Sequence, residues 1–343
     1  MNQYPNAKSA FENALRINPR FYEAALNLGN AFCHLGQTSQ AIASFANAIA
    51  ISPNHAGPHI NLGSLYFEDR NFDQAESCFE LALSLEPTSA QAHWNLALLL
   101  LMKGQFNEAW PHYEWRWKRG GYCHANHRNF AQPVWLGQFS IKGQKLLVHA
   151  EQGMGDTLQF VRFIQNLQTQ EAKVYLEVQA PLVSLLSQLP HVEKVFARGE
   201  PLPHFDAHCG LMSLPNALKV NLQELRTSEV YLQHQPLKAA AWKARLPKHQ
   251  GLRVGLVWSG GFRPNQPEVW QLNERRNLPL IHLKSLNLPG VQWVSLQKGH
   301  PAESEPLVLE SQNWGGPQIL NYSHHLTDFS ETAALIANLD LVI

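Results

Sequence analysis

The stretch KLLVHAEQGMGDTLQFVRF, residues 145–163, decides how the larger part of the chain folds. Leu146, Leu147 and Val148 form a short apolar run of the kind that makes a buried strand. Gly153 and Gly155 then punctuate the chain, since glycine accepts tight-turn backbone angles and leaves room beside it. Asp156 or Thr157 can cap a helix here, in which Leu158, Val161, Phe163 and Ile164 recur at helical spacing. Strand, glycine loop and helix make the opening unit of a doubly wound α/β domain. Ligands of such sheets bind off the carboxyl ends of the strands, which puts Asp156 at the mouth of a cleft.

Upstream of this unit the chain repeats with a period of 34 residues. Pro19, Pro53 and Pro87 keep that step, as do Ala7, Ala41, Ala75 and Ala109, and Phe11, Phe45, Phe79 and Tyr113. Leu28-Gly29, Leu62-Gly63 and Leu96-Ala97 fall in phase with them. From about residue 5 to 118 the pattern resembles the tetratricopeptide repeat, whose small residues let two antiparallel helices approach while aromatics fill the gap. The usual first-helix Trp is replaced by Ala25, His59 and His93. The first unit has only its second helix, Asn6 to Ile17, so further repeats are expected before Met1. At the other end Arg116 and Gly121 stand where the pattern has Ala and Pro. There Trp110, Trp115 and Trp117 lie close together, either as a cap against the next domain or as a sugar-stacking surface. Stacked repeats build a concave groove, so a protein or peptide partner is expected for residues 1–120.

Composition narrows the class. Hydrophobic residues make up 45% and charged residues 16%, as in a globular protein. Acidic and basic residues number 27 each, which leaves no electrostatic footprint for nucleic acid. The longest apolar runs fall well short of the ~20 residues of a membrane span. Met1 is followed by polar residues, and Cys33, Cys78, Cys123 and Cys209 are scattered without a CxxC pair. A cytoplasmic protein without a zinc site is the expectation.

After a connector at residues 121–142, where Trp135 is expected to anchor on a neighbouring surface, strands and helices alternate. KVYLEV (173–178), residues 192–197 and residues 205–209 read as strands, with helical segments at 182–189 and from 214. LRVGLVW (252–258) is a fresh strand that again runs into a glycine loop, Ser259-Gly260-Gly261. Alternation at this spacing implies parallel sheets covered on both faces, in two similar domains at 143–235 and 236–343.

The ordered set HAEQGMGDTLQFVRF, EVQAPL, ARGEPLP, FDAHC, LRVGLVWSG, RRNLPL and VSLQKG resembles bacterial proteins that join tetratricopeptide repeats to a heptosyltransferase-like glycosyltransferase. The resemblance implies a GT-B fold: two Rossmann-like halves, the first for the acceptor and the second for a nucleotide-sugar donor. It runs through essentially the whole chain. It implies inverting transfer to a protein or glycan, with no cofactor or metal. Asp156 matches the family's presumed general base, although the same residue can serve simply as a helix cap. Gln152, Gly153, Met154 and Gly155 shape its loop, with glycine amides available to an oxyanion. On the donor side stand Ser259, Gly260, Gly261, Arg275, Arg276, Gln297 and Lys298. The arginine pair reads equally as a solvated pair, because the long polar loop before it, 262–274, departs from the family pattern.

His204, Asp206, His208 and Cys209 do not make a metal site by spacing: Asp206 and His208 share a strand face, and His204 precedes the strand. His208 lines the acceptor side of the cleft or is satisfied in the interior. Residues 328–339 read as a capped helix and 340–343 as the start of a strand, where the donor half of the resembled family would continue. The second Rossmann-like domain is therefore expected to be truncated, and this piece by itself inactive. An interaction scaffold with a degenerate α/β part is the alternative to an enzyme.

Overall fold

The computed structural model describes residues 3–120, 128–221, 230–260 and 277–343. The chain forms two compact units, Met1–Ala172 with Phe205–Ser228, and Lys173–His204 with Glu229–Ile343.

The first unit begins with the repeats: α1 (Gln3–Ile17), α2 (Tyr22–His34), α3 (Thr38–Ile51), α4 (Ala56–Glu68), α5 (Phe72–Leu85), α6 (Ala90–Lys103) and α7 (Phe106–Tyr113). The 34-residue periodicity has a direct packing cause. A Cβ built on Gly29 would lie 2.3 Å from the Phe45 ring, and one on Gly63 would lie 2.6 Å from Phe79. In these two pairs glycine lets the first helix approach the aromatic of the second, whereas the third pair carries Ala97 at that position. Ala41, Phe45 and Ala48, and their equivalents Ala75, Phe79 and Ala82, are buried accordingly. The histidines in place of the usual Trp close the repeats differently. His93 Nε2 lies 2.9 Å from the Pro87 carbonyl oxygen, so the imidazole braces the turn before its own helix. Gly104, at φ 76°, ends α6 in the left-handed conformation that glycine accepts without strain.

The strands are β1 (Lys145–His149), β2 (Lys173–Val178), β3 (Val192–Ala197), β4 (Ala207–Gly210), β5 (Leu252–Leu256), β6 (Val291–Ser295), β7 (Ile319–Asn321) and β8 (Leu341–Val342). In the first unit β1 and β4 run parallel, with Leu147 opposite His208. Leu146, Leu147 and Val148 are fully buried, as their apolar run requires. The connector runs beside β4: the His208 amide donates to the Pro133 carbonyl, and the Trp135 amide to the His208 carbonyl. Trp135 is anchored in the interior and donates Nε1–H to the Phe139 carbonyl at 3.0 Å.

The second unit holds the parallel pair β2 and β3, and a parallel sheet in the order β7-β6-β5-β8. That order reverses the direction of winding at β5, and the crevice of such a sheet opens beyond the carboxyl end of β5. Both faces are covered. Trp293 packs with Leu280 and Leu309 on one side, while its neighbour Val294 packs with Trp242 and Leu335 on the other. Helix Phe329–Ile336 starts where the sequence places a cap: Asp328 accepts from the amides of Ser330 at 2.8 Å and Glu331 at 3.0 Å. The chain then enters β8 against β5.

Several boundaries differ from the sequence reading: β4 covers Ala207–Gly210 rather than 205–209, β5 ends at Leu256 rather than at 258, and a third difference bears on the site. The helix after the glycine loop spans Met154–Phe160, starting before Asp156, and tightens into 3-10 turns over Val161–Gln170. Gly153 is its N-cap at φ −72°, an extended geometry open to any residue, so no tight turn calls for glycine there. Beside Gly155 there is open space.

Candidate functional site

At the carboxyl end of β1, Gly153 caps the short helix and the third helical residue, Asp156, reaches back to it. Asp156 Oδ2 accepts the Gly153 amide hydrogen at 2.9 Å, and the Thr157 amide returns a bond to the Gly153 carbonyl. This is half of a capping box, formed because an acidic side chain three residues into a helix can satisfy the free amide at its start. The Gly153 amide is thereby engaged rather than turned to a ligand. Met154 and Gly155 are exposed, while Gln152 and Asp156 are half-buried.

Behind this loop lies a buried ion-pair network. The Arg116 guanidinium meets the Glu151 carboxylate side-on, Nε to Oε2 and Nη2 to Oε1, both at 2.9 Å. Nη1 reaches Glu114 at 3.0 Å, Nη2 reaches the Ser213 hydroxyl at 2.6 Å, and the Met212 amide donates to Glu151. Arg116 also lies 4.6 Å from the Trp117 ring. Burial pulls the guanidinium's pKa down, but Glu151 and Glu114 outweigh it and raise it above its ordinary value, so Arg116 stays protonated. For Glu151 burial dominates and lifts the carboxyl to about 7, since Arg116 offsets only part of it and Glu114 repels a second negative charge.

In front of the network a cavity of about 290 Å³ opens within the first unit. Trp115, Trp117 and Lys118 wall it from the end of the repeats, and Arg128, His149 and His208 from the α/β side. His149 Nε2, at the end of β1, and His208 Nδ1, within β4, are 3.2 Å apart, with the Phe130 ring edge-on to both. Lys118 Nζ sits 4.0 Å over Trp115, which stacks on His93. Trp110 plays the capping role instead, buried and donating Nε1–H to the Val220 carbonyl at 2.9 Å. Asp156 does not line this cavity.

In the second unit the loop after β5 is pinned internally. Gln297 accepts from the Trp258 and Ser259 amides and donates to the Ser259 carbonyl at 3.0 Å. The Gly260 amide donates to Asn277, and Lys298 donates to the Ser323 carbonyl at 2.8 Å. Ser259, Gly260, Gln297 and Lys298 therefore do come together beyond β5 and β6. Gly261, Arg275 and Arg276 lie outside the described residues, as does the 262–274 loop. In the sequence PHFDAHC, Asp206 accepts the Lys145 amide at 2.8 Å, and His208 faces His149.

The residues that sequence reasoning missed are Arg116, Glu151 and His149. Arg116 had left a signal, as a charge at the repeat position occupied elsewhere by the buried Ala48 and Ala82.

Tetratricopeptide-repeat families match residues 10–43, 29–69 and 60–126. The described part of that stretch, residues 10–120, carries tetratricopeptide repeats. They form a protein-interaction scaffold, followed by α/β structure with parallel sheets. Among curated proteins the chain is similar to Protein FlbA of Caulobacter vibrioides, 27% identical over 266 residues. That match takes in 70% of this chain, well beyond the repeats, and this chain spans 42% of FlbA. Among solved structures, MamA is 24% identical with a TM-score of 0.31, over 34% of this chain and 68% of that one. The tetratricopeptide-repeat protein TTC0263 of Thermus thermophilus is 23% identical with a TM-score of 0.30, over 33% and 63%. No described helix is long and apolar enough to cross a membrane.

Proposed function

We propose that the chain belongs to a GT-B glycosyltransferase that modifies a protein held by its repeats, and that it carries the acceptor side together with donor-side residues. The observation that carries this reading is the Arg116–Glu151 pair, which joins the last repeat to the residue entering the GMGD loop. A partner bound along the repeats is thereby held in fixed relation to that loop. In this reading Asp156 takes the proton of an acceptor hydroxyl as its oxygen attacks the anomeric carbon, and the nucleotide leaves with the glycosidic bonding pair. The bond to Gly153 uses Oδ2, and Oδ1 is the proton acceptor. Ser259, Gly260, Gln297 and Lys298 take the leaving phosphates in this reading.

The test is nucleotide release and protein mass gain from UDP-, GDP- and CMP-linked sugars, comparing the full-length protein with its Asp156→Asn form. Asparagine keeps an oxygen for the Gly153 amide but cannot act as the base. A loss on the order of 10²-fold or more with an unchanged melting temperature is expected. Equal turnover in both forms would remove Asp156 from the mechanism.

A second reading, a non-catalytic scaffold, is favoured by one observation: the amides of Gly153, Ser259 and Gly260 are already bonded to Asp156, Gln297 and Asn277. Partner binding by the repeats with no turnover of any donor would establish it.

A further inference from the structure

We infer that the inner face of the repeats is a docking track for an extended peptide segment, read through its main chain rather than its side chains. Asn27, Asn61 and Asn95 recur at the 34-residue step, one on each of α2, α4 and α6. These three helices lie closer to one another than α3 and α5 do, so the array curves with α2, α4 and α6 on the inside. Hydrogen bonds between the repeats join the amides into a ladder. Asn61 Nδ2 donates to Asn30 Oδ1 at 2.8 Å, Asn95 Nδ2 to the Ser64 hydroxyl at 3.0 Å, and Gln91 Nε2 to Asn95 Oδ1 at 2.7 Å. The ladder fixes the carboxamides without exhausting them, because each has two N–H groups and an oxygen with two lone pairs. Among the described residues, Asn27 donates no side-chain hydrogen bond and Asn61 Oδ1 accepts none. Asn61 and Asn95 each use one N–H of two. Asn27 is exposed and the other two are half-buried, so the remaining groups stay within reach of a ligand.

This chemistry matches a peptide backbone. A carboxamide and a peptide group carry the same donor and acceptor, so each can answer the other with both. The ladder itself carries no charge, so it calls for none on the partner. Axes of touching helices lie about 8–10 Å apart. One turn of polyproline II, three residues of about 3.1 Å each, advances by about 9 Å and makes no internal hydrogen bonds. An unfolded segment in that conformation brings an unpaired peptide group to each successive helix in the same orientation. A folded surface offers few such groups, since its amides are already paired. The inference rests on the repeats holding a protein partner, as proposed above, and is independent of glycosyl transfer.

The experiment is fluorescence polarisation on the full chain, without any sugar donor. The probes are labelled peptides of about 12 residues, built from Ser, Thr, Ala and Pro to favour polyproline II. One sequence is compared with its scrambled form and with an analogue in which ester links replace several amides, losing N–H groups but no side chain. Both peptides are expected to bind saturably within about threefold of each other, and the ester analogue to bind about tenfold or more weaker. Asn61→Ala should weaken both peptides, and Asn27→Ala/Asn61→Ala/Asn95→Ala should do so by about tenfold or more with helical content unchanged. Should the triple variant lose helicity, the ester comparison on the unaltered chain still decides. No saturation by either peptide, equal binding of the ester analogue, or affinity unmoved in a folded triple variant would each overturn the track. A strong preference between the two sequences would overturn main-chain reading. Cellohexaose, titrated in parallel, tests the other class of ligand: its binding, lost in the triple variant while neither peptide binds, would assign the groove to a glycan.

Discussion

Arg116 and Glu151 face each other side-on through two 2.9 Å hydrogen bonds, with both side chains almost completely excluded from solvent. The pair ties the end of the repeats to the loop after β1. Removing one partner of a buried pair strands the other charge, which costs more than the pair itself contributes. Arg116→Met is therefore expected to destabilise the first unit by about 3–5 kcal/mol, measured by urea unfolding.

The same pair sets a pH dependence. Glu151 titrates at about 7 in the folded chain against an ordinary value near 4.5, so the folded state binds its proton more tightly than the unfolded chain. The resulting stability is fully present below about pH 4.5 and is lost as pH rises through about 7. Thermal melts between about pH 5 and pH 8 should show this decline, and Glu151→Gln should lack that component of it. A wild-type profile identical to that of the variant would refute the assignment.

Gly29 and Gly63 permit the close helix approach on which the repeats depend. Placing Val at Gly63 puts a Cβ 2.6 Å from the Phe79 ring, and no rotamer of the new side chain removes that atom. A loss of about 1–3 kcal/mol is expected, read as a lower unfolding midpoint. Gly155→Ala, with open space beside the residue, is expected to change stability little.

Gln297 bonds the Trp258 and Ser259 amides and the Ser259 carbonyl from within the second unit. Gln297→Ala leaves these backbone groups without that partner, at about 1–3 kcal/mol. Hydrogen exchange at the Ser259 amide should accelerate, while the repeats keep their protection.

Much of the architecture could be read from local chemistry. The 34-residue period followed from Gly29, Phe45 and Ala48 and their equivalents, because those contacts lie within one helix pair and recur. The strands at 173–178 and 192–197 were legible to the residue, since both are short stretches with β-branched and aromatic residues bounded by turns. The helix from Asp328 was equally clear, because its cap is the residue before it. The start of the helix after β1 was less so: Asp156 and Thr157 both suit a cap by residue type, and only the bond from the Gly153 amide to Asp156 shows that the helix begins earlier, with Gly153 as its cap.

What the sequence by itself determined was therefore the class of each element and the repeat register, both products of short-range packing and turn chemistry. The tertiary structure alone decided the partnership of Arg116 with Glu151 and the meeting of Trp117, Lys118 and His208 around one cavity. Those residues are 35 and about 90 positions apart, on elements of different kinds. No local periodicity records such distances; they are set by how the end of a helical array packs against parallel strands.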